Sequence, residues 1–357
     1  MILDDETCWK ALTARDARFD GRFFTGVVTT GIYCRPVCPA RTPRRENVVF
    51  HPSAASAEAA GLRACLRCRP ETAPDMAPWR GSASTVSRAM ALIEAGALDE
   101  GDAEGLAARL GVGGRHLRRL FRQHLGAAPV SVAQTRRVLL AKTLIHDTNL
   151  SMADVALASG FGSVRRFNET FQALYGRPPS ALRRRGERTP SGGLTLSLPY
   201  RAPYDVAAMM TSLARRGVED EAVQGGVWTR SLCTAIDAAE GEVAVRDGGR
   251  DRLAVSVELS SLKALPGVLA RVRRVFDLAA DPEAIARDLS VDPVLAKAMA
   301  ERAGLRPPGD WLMRDELPSD RLETDDPALL ARAEGWRPWR AYGALYWGAA
   351  MDTGEAR

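Results

Sequence analysis

Apolar positions change their period along this chain, and the changes divide it. Near the start, Trp9, Phe19, Phe23, Phe24, Val27 and Val28 offer a small core. The stretch 23–30 and the shorter 48–50 have the apolar, β-branched character of strands, and 54–60 reads as a short helix ended by Gly61. A run rich in Pro, Ala and Ser at 72–84 reads as a linker. From about 85 to 185 the spacing is helical: Val86, Met90 and Ile93 form one stripe. Val138, Ala141 and Ile145 form another, with Leu140 and Leu144 beside them. Pro178 and Pro179 help to stop the last long helix. Beyond a second linker at 186–193, residues 194–198 alternate apolar and polar. Stretches 227–233, 242–245 and 253–257 also read as strands, and 204–215, 266–276 and 282–289 as helices, the composition of an α+β domain with an antiparallel sheet. From about Pro327 the chain is helical and aromatic. Trp336, Trp339, Tyr342, Tyr346 and Trp347 there are expected to be packing residues. No repeat of solenoid length is visible.

At 357 residues the chain can build several cores, and 46% apolar and 26% charged residues is the balance of an ordinary globular protein. The first six residues are acidic and lack an apolar stretch, so no signal peptide is expected. No apolar run approaches the ~20 residues that cross a bilayer. A cytoplasmic protein without membrane contact is the expectation. The net charge of +5 is mild but uneven. Arg35, Arg41, Arg44, Arg45, Arg63, Arg67 and Arg69 crowd a stretch opposed only by Glu46 and Glu58, and further basic clusters lie at 115–122 and 183–185. Any one patch could be plain solvated surface; together they suit a polyanion.

Six cysteines in a reducing compartment favour metal or nucleophile roles over disulfides. Cys8 and Cys233 stand apart and read as small buried apolar residues. The other four form Cys34-x3-Cys38, a gap of 26 residues, then Cys65-x2-Cys68. Two close pairs can each clamp half of a tetrahedral ion, and zinc suits four thiolates. By spacing alone, such a site is usually a structural knuckle.

The residues around the cysteines change that balance. Thr29-Thr30-Gly31-Ile32-Tyr33-Cys34-Arg35-Pro36-Val37-Cys38-Pro39-Ala40-Arg41 resembles the N-terminal domain of the Ada DNA-repair and response family. The likeness continues through Arg45-Glu46-Asn47-Val48 and Gly61-Leu62-Arg63-Ala64-Cys65-Leu66-Arg67-Cys68, over about residues 5–72. It implies that Cys34, the first of the set, takes a methyl group from a methylphosphotriester of the DNA backbone. It also implies that Thr30, Arg41 and Arg63 contact phosphate. The chemistry is consistent. Zinc keeps a coordinated thiol deprotonated at neutral pH. Four thiolates on one divalent ion leave excess negative charge, which keeps sulfur nucleophilic. Attack on the methyl carbon releases a phosphodiester and leaves a thioether, with no general base required and no group to remove the methyl. Each chain would act once. The site also becomes less negative, so affinity for DNA would rise, a damage-triggered switch.

The helical part holds a repeated design. Residues 105–112 and 115–122 read as helix, glycine turn and helix, with Leu117, Leu120 and Phe121 inward and Arg115, His116, Arg118, Arg119 and Arg122 left for DNA. His116 could equally be an idle surface residue. In the second copy Ser151 can cap 152–159 with Asp154 as the capping-box acid. Gly160-Phe161-Gly162 turns the chain, and Phe167 and Phe171 pack inward while Arg165, Arg166 and Asn168 face out. Asp154-Val155-Ala156, Gly160-Phe161 and Phe167-Asn168-Glu169-Thr170-Phe171 resemble the AraC-type activator domain over about 82–185. The likeness implies binding to promoter DNA, with RNA polymerase as a partner.

The last part resembles AlkA-type 3-methyladenine DNA glycosylases in Leu198-Pro199-Tyr200-Arg201-Ala202-Pro203-Tyr204, Val223-Gln224-Gly225-Gly226 and Arg273-Arg274-Val275-Phe276-Asp277-Leu278. Leu317-Pro318-Ser319-Asp320 is similar to the stretch with that family's catalytic aspartate, and 334–342 to its closing helix. After Leu305-Arg306-Pro307-Pro308-Gly309, however, the family's long helical stretch with its glycine-rich hairpin is missing. Asp320 therefore holds the right place in order without the pocket that base flipping needs, and reads equally as a surface acid. A Pro-Cys-His-Arg motif of O6-alkylguanine repair is absent.

The fold expected is α+β and multidomain. It comprises a zinc-stapled α/β domain (1–72), an all-α double helix-turn-helix domain (82–185), an α+β domain like the AlkA N-terminal domain (194–280) and a truncated helical remainder (281–357). The function expected is irreversible methyl transfer from alkylated double-stranded DNA to Cys34, coupled to transcription activation in the bacterial cytoplasm at the nucleoid. Base excision by Asp320 and a non-catalytic zinc-containing regulator are the alternatives.

Overall fold

The computed structural model describes residues 3–74, 83–183, 194–312, 322, 324 and 326–352. The first part opens with a helix α1 (Asp5–Ala14), capped by Asp4, whose carboxylate accepts from the Thr7 N–H at 2.8 Å. Strands β1 (Phe24–Val27), β2 (Ile32–Cys34) and β3 (Val48–His51), a helix α2 (Ala54–Ala59) and a two-residue β4 (Arg63–Ala64) complete it. The sheet order is β3-β1-β2-β4, with β2 and β4 parallel and the other pairs antiparallel. The strand expected over 23–30 stops at Val27. Gly31, at φ +63°, lets a tight turn form, and Thr30 N–H and Gly31 N–H both return to the Val27 carbonyl. Val28 therefore sits on the turn, 53% exposed, and is not the core residue expected of it. Trp9 is half-buried, while Phe23, Phe24 and Tyr33 are buried.

The helical part contains α3 (Ala83–Glu94), α4 (Ala103–Arg109), α5 (Gly114–Leu125), α6 (Pro129–Asp147), α7 (Met152–Ala158) and α8 (Val164–Tyr175). Each expected helix–turn–helix forms. The turns fall at Gly111 (φ +70°) and Gly160 (φ +87°). At Gly160 a side chain would also collide with the Asp99 carboxylate, which is itself held by Arg136 and Arg137, so glycine there answers a steric as well as a conformational need. Leu117, Leu120, Phe121, Phe167 and Phe171 are all buried, as the spacing predicts. Phe161, Phe167, Phe171 and Tyr175 form a continuous aromatic run.

The second sheet has the order β5-β9-β8-β7-β6, antiparallel throughout, from β5 (Leu194–Pro199), β6 (Glu221–Gln224), β7 (Val227–Leu232), β8 (Gly241–Asp247) and β9 (Arg252–Leu259). Helices α9 (Val206–Arg216), α10 (Thr234–Asp237), α11 (Leu265–Val275), α12 (Pro282–Leu289) and α13 (Pro293–Glu301) accompany it, and α14 (Pro327–Ala333) and α15 (Arg340–Asp352) close the chain. One large apolar core joins the inward faces of α6, α7 and α8 to this sheet and ends on Trp228, Phe276 and Trp311. The late aromatics pack as expected: Trp336, Trp339, Tyr342 and Tyr346 are buried in a separate cluster with α12 and α13. Cys233 corrects the reading of it as buried. It is exposed, because it is the N-cap residue of α10 and its N–H is taken by the Asp237 carboxylate at 3.0 Å. Cys8 is buried as expected.

Candidate metal centre and nucleic-acid interface

The two cysteine pairs meet because β2 and β4 run parallel. Tyr33 lies opposite Ala64, so the chain leaves both strands in the same direction, and Cys34 and Cys65 emerge side by side. Each then turns back to supply a second sulfur. The Cys38 N–H bonds the Arg35 carbonyl at 3.1 Å in the first loop, and the Arg67 N–H points at the Cys65 Sγ at 3.3 Å in the second. The Arg35 N–H approaches the Cys68 Sγ at 3.4 Å. All four sulfurs lie within 4.8 Å of one another. A tetrahedron with Zn–S bonds of ~2.3 Å has edges of ~3.8 Å, so the donor set fits one zinc ion in number, type and spacing. Four thiols packed this closely hydrogen-bond one another and pull each other's proton affinities apart, which raises Cys34 and lowers Cys38.

Exposure separates the four. Cys38, Cys65 and Cys68 are buried, while Cys34 is partly exposed. Cys34 is the least enclosed residue of the set. Around it the arginines divide into two kinds. Arg35 is committed inward: its guanidinium pairs with Asp20 and donates to the Thr72 hydroxyl at 2.7 Å and the Cys68 carbonyl at 3.3 Å. Arg69 grips Asp147 through two bonds of 3.0 and 3.1 Å and reaches Glu71 at 3.1 Å. Arg45 reaches Asp5 at 3.3 Å. Arg41, Arg63 and Arg67 have no ion pair among the described residues, and Arg41 and Arg67 are exposed. Thr30 is exposed on the β1–β2 turn, its hydroxyl donating to the Val27 carbonyl at 3.2 Å.

The metal centre is docked on α6 through charges that sequence reasoning missed. Tyr33, next to Cys34, is buried and donates to Glu58 at 3.0 Å, and Glu58 accepts from Thr135 of α6 at 2.6 Å. Burial pushes the Glu58 carboxyl up. Lys142 of α6 is wholly buried and donates to Glu71 at 2.7 Å. Burial alone would raise the Glu71 carboxyl, but the Lys142 ammonium outweighs it and holds Glu71 below the usual 4.5. These partners are 71–77 residues apart, so no local spacing announces them.

On the helical part, Arg115, His116, Arg118 and Arg119 stand exposed on α5, and Arg165, Arg166 and Asn168 on α8. Several are loosely held: Arg118 pairs with Glu104 at 2.6 Å, Arg119 lies 3.2 Å from His116 Nδ1, and Arg165 pairs with Glu169 at 2.8 Å. Exposed pairs of this kind contribute about 0–1 kcal/mol each, little enough to exchange for phosphate or base contacts. Asp320 lies outside the described residues.

Comparison with known families accounts for this arrangement. Residues 7–71 match the metal binding domain of Ada, 106–185 a helix-turn-helix domain and 195–312 the AlkA N-terminal domain. A Bacillus subtilis protein, "Bifunctional transcriptional activator/DNA repair enzyme AdaA", is 31% identical over 185 residues, which are 51% of this chain and 83% of that one. The chain belongs to the Ada family. A Mycobacterium tuberculosis relative, "Probable bifunctional transcriptional activator/DNA repair enzyme AlkA", is 40% identical over 312 residues, 85% of this chain. The chain spans 62% of that relative's length. The Escherichia coli "Bifunctional transcriptional activator/DNA repair enzyme Ada" is 38% identical over 135 residues, 38% of this chain and 37% of the relative. The four-cysteine cluster is thus the site of one zinc ion in an Ada-type domain.

Proposed function

We propose that this Ada-family chain removes a methyl group from a methylphosphotriester in double-stranded DNA, using Cys34 as a single-use acceptor, and that the alkylated chain activates transcription. The observation that carries the reading is that Cys34 is partly exposed while the other three cysteines of the set are buried. Bound zinc keeps the sulfurs as thiolates at neutral pH. The Cys34 sulfur supplies the electron pair for a new S–C bond to the methyl carbon. The C–O bond breaks, and its electrons leave on the phosphodiester, which regains its negative charge. Arg41 and Arg63, with Thr30, hold the backbone phosphates so that the methyl faces the sulfur. Nothing in the site regenerates the thiol, so one chain repairs one lesion.

The loss of one negative charge at sulfur lowers repulsion against DNA, and Arg115, His116, Arg118 and Arg119 with Arg165, Arg166 and Asn168 then read promoter DNA in successive major grooves. RNA polymerase is the partner this role requires, and the bacterial cytoplasm, at the nucleoid, its place. Among the described residues no helix is long and apolar enough to cross a membrane. The test is a titration. Zinc-loaded protein is mixed with a duplex carrying one methylphosphotriester, and loss of the methyl from the oligonucleotide is followed by mass. Repair that ends at one methyl per chain is expected. Continued turnover, or no loss at all, contradicts the reading; release of free 3-methyladenine from alkylated DNA, abolished by Asp320→Asn, would establish base excision instead.

A further inference from the structure

A second basic site lies beside the zinc cluster, and one of its walls comes from the other end of the chain. A cavity of about 310 Å³ is bounded by Arg35, Arg67, Arg69, Cys68 and Thr72 of the metal domain and by Arg252, the first residue of β9. Arg252 is delivered there by the β8–β9 hairpin. Its carbonyl accepts from Gly248 N–H at 2.9 Å, and the two residues before it, Arg250 and Asp251, both hold the left-handed conformation at φ +52° and +58°. Neither is glycine, so the turn is a costly one that aims the chain. The metal domain is fixed against this part by other contacts. Arg22 reaches Asp281 at 2.8 Å and Glu283 at 3.0 Å, and Arg201 reaches the Asp20 carbonyl at 3.4 Å.

The charges in the cavity do not balance. Arg35 is answered by Asp20, and Arg69 by Glu71 and Asp147, while Glu71 must also serve Lys142. Arg67 and Arg252 have no ion pair or hydrogen bond from their guanidiniums among the described residues. Burial, with Arg35 and Arg69 close by, lowers the affinity of Arg252 for its own proton. Arg67 is exposed and Arg252 half-buried, so both guanidiniums are open to an incoming anion, and a phosphate is the anion their planar donors fit best. We propose that Arg67 and Arg252 together bind a phosphodiester of the DNA strand next to the one presented to Cys34, so that the domain like the AlkA N-terminal domain positions DNA for the metal centre. The assignment rests on the proposed methyl transfer for the identity of the strand. The cavity itself touches Val37, between Cys34 and Cys38, and Pro39, the residue after Cys38.

The experiment is the salt dependence of binding of the full zinc-loaded chain to unmodified duplex DNA. Each phosphate neutralised contributes roughly 0.9 to the slope of log K against log salt. Arg252→Gln is expected to lower that slope by roughly 1, Arg67→Gln likewise, and Arg252→Lys to leave it unchanged. Arg215→Gln makes the same charge change on α9, which packs on β6 and β7 at the far edge of the sheet, and should not alter the slope. Zinc content and circular dichroism of Arg252→Lys show that the fold survives at this position. An Arg252→Gln slope equal to the wild type overturns the proposal, as does an equal fall in Arg215→Gln. If the wild type takes no methyl yet the slope still falls, the acceptor role of Cys34 fails while the phosphate site stands; if methyl transfer occurs and the slope does not move, only the phosphate site fails.

Discussion

The metal domain and the second-sheet domain solve the same problem with opposite means. Around β1–β4 the apolar residues fall into small separate clusters: Phe24, Tyr33 and Leu62 in one, Cys8, Ala11 and Phe23 in another, and the cysteines themselves in a third. Around β5–β9 a single core runs from α6 to Trp311 and includes wholly buried Trp228 and Phe276. The first region buries its apolar residues in small lots, and a metal held by its four cysteines supplies a staple that its clusters do not. The second is held by burial and is free to contribute surface. Under the proposed function, the part that is altered is thereby attached to one that is not.

Removing the metal should break this comparison most visibly. Chelation is expected to cost the first region about 10 kcal/mol or more, the scale of structural zinc binding. Hydrogen exchange followed by mass spectrometry should show residues 3–74 losing protection while 194–312 keep theirs. Equal loss in both regions would mean that they are one cooperative unit. Next in size is Trp228→Ala. The indole packs on Phe276 at 5.4 Å and near Trp311 at 6.0 Å, and its N–H donates to Glu221 at 3.2 Å. A loss of about 3–5 kcal/mol in denaturant unfolding is expected, with zinc content unchanged.

Lys142→Met addresses the seam between metal domain and helices. It takes the buried ammonium from Glu71 and leaves Arg69 as its one cation among the described residues, at a cost of up to about 3 kcal/mol at neutral pH. The folded Glu71 carboxyl lies below 4.5, so the pair's contribution is complete above 4.5 and is lost as pH falls through the lower folded value. The gap in stability between wild type and Lys142→Met should therefore narrow as pH falls below 4.5; a gap that stays constant there would remove the ion pair as its cause. The smallest effect is expected of Ser151→Ala. The hydroxyl accepts from the Asp154 N–H at 3.1 Å and donates to its carboxylate at 2.7 Å, and its loss should cost about 1 kcal/mol without moving zinc affinity.

Features carried by neighbours in sequence were legible. The cysteine pairs, the glycine turns at 111 and 160, the caps and the inward phenylalanines of α8 all depend on spacings of a few residues, and all appear in the structure. Short or weakly patterned elements were not. Strand β2 has three residues, β4 has two, and α1 carries a modest apolar face behind an acidic first turn. Val28 has strand chemistry but is placed by the turn that Gly31 permits, and Cys233 has core chemistry but caps a helix. Glu71 with Lys142, Glu58 with Thr135, and Arg252 beside Cys68 were invisible because each joins parts of the chain that only the fold brings together. The arginine-rich stretch around the cysteines was visible as charge, but only the structure separates Arg35 and Arg69, which face acids, from Arg41, Arg63 and Arg67, which do not.

The central claim is that exposure selects Cys34 as the acceptor from four chemically similar thiolates. The direct measurement is peptide mass mapping of the zinc-loaded chain after reaction with a duplex bearing a single methylphosphotriester. One methyl on Cys34 and none on Cys38, Cys65 or Cys68 is the expected result; a methyl on any of those three, or four unmodified cysteines after full incubation, would rule out Cys34 as the selected acceptor.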